Sequence, residues 1–94
     1  MHVSIKFIGA LRKISGKTQI SASINDDISL EALVTKLSQG MPELKKIFGD
    51  QEQSDQQSNA LILINGREIS VLNGLKTKLT DGDEIVFVPV VHGG

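Results

Sequence analysis

The sequence predicts an α+β roll: one mixed β-sheet packed on one main helix, with a second, short helical piece. Three observations point to it. Short stretches of two-residue alternation or unbroken apolar character mark strands on both sides of the chain's middle. A single window, Leu30–Leu37, carries helical spacing. That window falls between two groups of strands, and a sheet curled over one helix then uses every element.

The elements follow in order. Val3, Ile5 and Phe7 alternate with Ser4 and Lys6, a half-buried strand broken by Gly9. Ala10–Gly16 is a connection, with Leu11 and Ile14 expected to pack inward. Ile20, Ala22 and Ile24 alternate with Gln19, Ser21 and Ser23, so the first two strands are expected to form a hairpin. Asn25-Asp26-Asp27 is turn chemistry. Ser29 is a suitable N-cap, Glu31 suits the first turn, and Leu30, Leu33, Val34 and Leu37 form the apolar stripe of a helix stopped at Gly40. Pro42 opens a shorter helical piece that reaches Ile47-Phe48 and ends at Gly49. Asp50–Asn59 is polar, rich in Gln and Ser, and reads as a solvated surface loop.

Ala60–Ile64 is a continuous apolar run, expected to be a buried central strand. Asn65-Gly66 is a hairpin turn, because both residues tolerate positive φ, and Arg67–Ser70 is its short return strand. Val71–Leu79 is irregular and anchored by Leu72, Leu75 and Leu79; Thr80–Asp83 is a turn. Ile85 and Phe87 alternate with Val86 and Val88 in the last strand, and Pro89 ends it because proline cannot donate to a ladder. The first and last strands suit central places in the sheet. Residues 1–89 are thus expected to be one domain and residues 90–94 a flexible tail.

Composition narrows the function. A chain of 94 residues has room for one small core. With three Phe and no Tyr or Trp, that core is aliphatic and stacking platforms for single-stranded nucleic acid are missing. A net charge of −1 supplies no basic field, so neither direct nucleic-acid binding nor membrane binding is expected. The absence of cysteine removes disulfides, iron–sulfur ligation and thiol catalysis, and fits a cytoplasmic protein. The two histidines, His2 and His92, lie at the chain ends in no motif, and Asp81, Asp83 and Glu84 offer too few ligands for a calcium loop. No phosphate loop is present. Neither a catalytic residue of its own, nor a metal, nor a bound cofactor is expected.

The tail is different. After Pro89 come Val90, Val91, His92, Gly93 and Gly94. Two residues without Cβ let an extended terminus enter a narrow channel. Five residues reach about 15 Å beyond the last strand. A terminal carboxylate is ionised at neutral pH and a poor electrophile, so it reacts only after activation, most simply as an acyl-adenylate made by another enzyme from ATP.

Taken together, these residues resemble the β-grasp sulfur carriers and modifiers: the small subunit of molybdopterin synthase (MoaD), the thiamine sulfur carrier ThiS and the small archaeal ubiquitin-like modifiers. The likeness covers Val3–Phe7 with Ala10–Gly16, the helix Leu30–Leu37 with the Pro42 piece, and the hairpin Ile64–Ile69. Its most specific part is Leu79–Gly94, where an Asp-Gly-Asp turn, a last strand, a proline and a diglycine follow at the family's spacing. Leu72–Leu79 leans toward the archaeal members.

The resemblance implies a ubiquitin-like β-grasp fold and a carrier that is the substrate of an E1-like adenylating enzyme rather than an enzyme. Gly94 would carry the reactive carboxylate and Gly93 would allow its passage. The product would be a thiocarboxylate, delivering sulfur to a molybdopterin precursor or to tRNA, or an isopeptide to lysines of target proteins. Ile8, Val88, Pro89, Val90, Val91 and His92 would meet partners: the activating enzyme and, in one branch, the large subunit of molybdopterin synthase. Many molybdopterin synthase subunits have a second proline where this chain has Val90, and a small residue where it has His92. Sulfur delivery and conjugation therefore both stay open, beside an inert β-grasp interaction domain. A monomer that docks transiently is the simplest expectation.

Overall fold

The computed structural model describes residues 1–9, 12, 16, 19–41 and 60–89. The expected connection 10–16 falls mostly outside them, and the Pro42 piece, the loop 50–59 and the tail 90–94 fall wholly outside.

Five strands form one mixed sheet: β1 (His2–Phe7), β2 (Gln19–Ser23), β3 (Ala60–Ile64), β4 (Arg67–Glu68) and β5 (Glu84–Pro89). Their spatial order is β2-β1-β5-β3-β4. β1 and β2 pair antiparallel, with Ile5 opposite Ile20. β1 and β5 pair parallel, with Ile5 opposite Ile85 and Phe7 opposite Phe87. β5 and β3 pair antiparallel, with Phe87 opposite Ile62. The last strand is thus the centre of the sheet and the first lies beside it, as their apolar patterns required.

The helix α1 (Leu30–Gly40) begins where the sequence predicts. The Ser29 hydroxyl accepts from the Ala32 amide at 3.2 Å, satisfying one orphan donor of the first turn. The Leu30 amide donates to the Thr77 carbonyl at 2.8 Å, which ties this end of the helix to the segment before β5. Leu30, Leu33 and Val34 are buried against Val3, Ile5 and Phe7 of β1, Ile62 and Ile64 of β3, and Ile85 and Phe87 of β5, with Ile24 and Leu79 closing the margins. Each buried aliphatic side chain contributes roughly 1.5–3 kcal/mol of transfer free energy. The Phe7 and Phe87 rings stack at 5.6 Å between centroids and 18° between planes. The three-Phe composition therefore still yields an aromatic pair at the middle of an otherwise aliphatic core.

Two expectations need correction. The return strand stops at Glu68 rather than Ser70. The Glu68 carboxylate accepts from both the Ser70 amide and the Ser70 hydroxyl, and this local pairing turns the backbone into a 3-10 turn at Ile69–Val71. A second 3-10 turn follows at Gly74–Lys76, with Leu72 and Leu75 half-buried on the core. The other correction concerns β3. Ile62 and Ile64 are buried, but Leu61 is 36% exposed and Leu63 is half-buried. Among the described residues α1 covers one face of the sheet, so a fully apolar strand here turns half its side chains to the other face.

Candidate functional site

The candidate site is the end of β5 and the sheet face around it. β5 leaves the core at Pro89, the last residue of its ladder, opposite Ala60. The residues that follow, Val90, Val91, His92, Gly93 and Gly94, lie outside the described residues.

Alternation along three neighbouring strands builds the face. Phe7, Ile62 and Phe87 point at the helix, so Ile8, Leu61, Leu63, Val86 and Val88 point away from it. Val88 lies opposite Leu61 and Val86 opposite Leu63. The Ile8 amide donates to the Phe87 carbonyl at 3.0 Å, which carries the edge of β1 up beside Val88. Ile8 is 44% exposed. Two of the residues expected to meet partners, Ile8 and Val88, are therefore brought together, and the backbone of Pro89 follows directly. Sequence reading missed Leu61, Leu63 and Val86. The signal was available: Ala60–Ile64 is apolar at every position although the chain offers one main helix to cover the sheet.

Polar groups bound this face at the other end. Lys6, opposite Val86, pairs with Glu84 at 3.0 Å across the parallel ladder. Both side chains are about two-fifths exposed. The pair therefore adds little stability. It does mark where the apolar surface stops.

The start of β5 is fixed by a buried carboxylate. Asp83 accepts from the Thr80 amide at 2.8 Å, the Thr80 hydroxyl at 2.9 Å and Asn65 Nδ2 at 2.8 Å. Asn65 completes the clasp by accepting from the Glu84 amide at 3.0 Å. Burial alone would push the Asp83 carboxyl up, but the Thr80 amide, Asn65 and the Thr80 hydroxyl together hold it below its ordinary value of 3.8. The β3–β4 turn, with Asn65 at φ 52° and Gly66 at φ 84°, is thereby locked to the beginning of β5. Five residue steps along β5 then put the exit of the chain about 17 Å from the clasp.

The acidic residues expected to be turn chemistry do that work. Asp81 accepts from the His2 amide at 2.8 Å, and the Gly82 amide donates to the His2 carbonyl at 2.7 Å. His2 is thus fixed at the clasp end of the sheet. Among the described residues no three His, Asp or Glu side chains are grouped to hold a metal. No described helix is long and apolar enough to cross a membrane.

Comparisons with known proteins agree with this geometry. The model of the ThiS family matches residues 5–94. A protein of Archaeoglobus fulgidus described as a sulfur carrier is 34% identical over 85 residues, covering 83% of this chain and 97% of its own. Small archaeal modifier protein 3 of Haloferax volcanii is 28% identical over 95 residues, covering all of both chains. The solution structure of small archaeal modifier protein 1 from Methanosarcina acetivorans superposes with a TM-score of 0.79 at 31% identity, covering 99% of this chain and 96% of that one. The fold of these relatives is the ubiquitin-like β-grasp, and their named roles are those of carriers and modifiers rather than catalysts.

Proposed function

Because this chain belongs to the ThiS family, we propose that its modifier or carrier role is exercised through the carboxylate of Gly94, activated by an E1-like enzyme that spends ATP. The carboxylate oxygen attacks the α-phosphorus of ATP and expels pyrophosphate, leaving an acyl-adenylate. A sulfur nucleophile or an amine then displaces AMP at the acyl carbon. Sulfur delivery yields a thiocarboxylate at Gly94. Transfer to a lysine ε-amine, directly or through a thioester on the enzyme, yields an isopeptide. Beyond that terminal carboxylate the protein supplies no acid, base or nucleophile to these steps; it presents the acyl group.

One observation supports this reading above the others. The strand at the centre of the sheet hands the chain to a five-residue terminus ending in Gly93-Gly94, beside the apolar face of Ile8, Leu61, Leu63, Val86 and Val88. Such a face would seat an activating enzyme while the terminus reaches its nucleotide site. Pro89, Val90, Val91 and His92 would line the path between. The large subunit of a molybdopterin synthase, or lysine-bearing targets, would receive the product.

The test is intact mass. The protein is incubated with the E1-like enzyme of its own source, ATP and a sulfur donor, and tryptic digests of lysates are searched for lysines that carry the remnant Leu79–Gly94, the peptide that follows the last basic residue, Lys78. Exchange of one oxygen for sulfur at Gly94 marks the carrier, and remnants on other proteins mark the modifier. Neither product with any activating enzyme of the source would leave an inert interaction domain and overturn the proposal.

A further inference from the structure

The chain contains two Asn-Gly dipeptides, Asn65-Gly66 and Asn73-Gly74. As sequence they are equivalent. Each can lose ammonia by the same intramolecular route, because a following residue without Cβ leaves its amide nitrogen open to approach by the asparagine side chain. The structure separates them.

Asn65 is bound on every side. Its Nδ2 donates to Asp83 at 2.8 Å, its Oδ1 accepts from the Glu84 amide at 3.0 Å, and its own amide donates to the Glu84 carbonyl at 2.8 Å. Turning its Cγ toward the Gly66 nitrogen breaks the clasp and frees the end of the β3–β5 ladder, where Ile64 pairs with Ile85. An opening of that kind breaks three hydrogen bonds at the end of a central ladder and costs more than the opening of a turn outside the sheet.

Asn73 is exposed, and its side chain makes no hydrogen bond. Its backbone is held by the Thr77 hydroxyl, which accepts from the Asn73 amide at 3.0 Å, and by the Lys76 amide, which donates to the Asn73 carbonyl at 3.1 Å. Its ψ of 24° must rotate to bring Cγ over the Gly74 nitrogen. That motion opens one 3-10 turn, whose Leu75 is half-buried, and leaves the sheet intact. Surface turns of this kind open locally at small cost.

We propose that Asn73 is a site of spontaneous deamidation in the folded protein, while the clasp around Asn65 protects the second Asn-Gly pair. In the reaction a solvent base takes the Gly74 amide proton, the nitrogen forms a bond to Asn73 Cγ, and the Cγ–Nδ2 bond breaks as ammonia leaves with a proton from water. Water then adds to one of the two carbonyls of the succinimide and opens it to aspartate or isoaspartate. No other co-reactant is needed. The product carries one more negative charge on a chain whose net charge is −1, outside both the clasp and the apolar face.

The test is a time course of the full folded chain at mildly alkaline pH in oxygen-18 water. Peptide mapping by mass spectrometry follows, with digestion in ordinary water so that later conversion is distinguished. Asn73 is expected to convert about tenfold or more faster than Asn65, and the two rates to converge to within about twofold in concentrated urea, because only the fold separates them. Three results would overturn the proposal: Asn65 converting as fast as Asn73 in the folded chain, the same ratio persisting in urea, or Asn73 remaining intact while a peptide spanning 70–77 converts fully.

Discussion

Asp83 receives three donors from Thr80 and Asn65, and protonating the carboxyl, or replacing it by an amide, turns one of its two acceptor oxygens into a donor that faces them. Because its folded pKa is lowered, the stabilisation it gives is complete above the unfolded value of 3.8 and is lost as pH falls through the lower folded value. Asp83→Asn is expected to cost on the order of 2–3 kcal/mol near neutral pH, since an amide nitrogen then faces donors. It is also expected to flatten the loss of stability on acidification below the ordinary carboxylate range. Urea midpoints by circular dichroism, taken at neutral pH and through the acid range, check both; an unchanged acid slope would count against the clasp. From the sequence, Asp83 reads as a turn residue and Asn65 as a hairpin residue, and both are. That they hold each other was not legible, because the bond joins positions 18 apart and depends on β5 being the neighbour of β3.

Strand β3 shows what an element adds to its residues. Its alternating side chains divide between a core and an open face, and the two halves answer differently to substitution. Ile62→Ala empties a buried site and is expected to cost about 2–4 kcal/mol in unfolding free energy. Leu61→Ser removes a partly exposed group and is expected to cost under about 1 kcal/mol, while slowing adenylation by the activating enzyme, read as pyrophosphate release. Equal activity in Leu61→Ser and the parent would detach the apolar face from activation. The helix was readable almost to the residue because Ser29, Glu31 and the Leu30–Leu37 stripe all agree. β3 was readable as a strand but not as a two-faced one, since a continuous apolar run looks the same whether its second face meets a helix or a partner. The 3-10 turns after β4 were hidden for a different reason: Glu68 is an ordinary strand residue until Ser70 offers it two donors.

At the scale of the whole molecule, the order β2-β1-β5-β3-β4 could not be read from the sequence. Its central contact pairs Ser4 with Glu84, and no local pattern announces a parallel partner so far along the chain. The pattern did identify which strands are interior, and that is enough to seat the terminus on the most enclosed strand. Deleting Gly93-Gly94 is accordingly expected to leave the thermal midpoint within about 2 °C of the parent, because two terminal residues without side chains can bury little apolar surface. The same deletion is expected to abolish formation of any adduct. A large fall in midpoint would show that the terminus supports the fold and would weaken its reading as a presented acyl group. The sheet order has a mechanical consequence as well. A load on the terminus runs along β5, which is bonded to β1 on one side and β3 on the other. Against an anchor at the start of β1, the parallel β1–β5 ladder is loaded lengthwise, so its hydrogen bonds share the force and must yield together instead of unzipping one at a time.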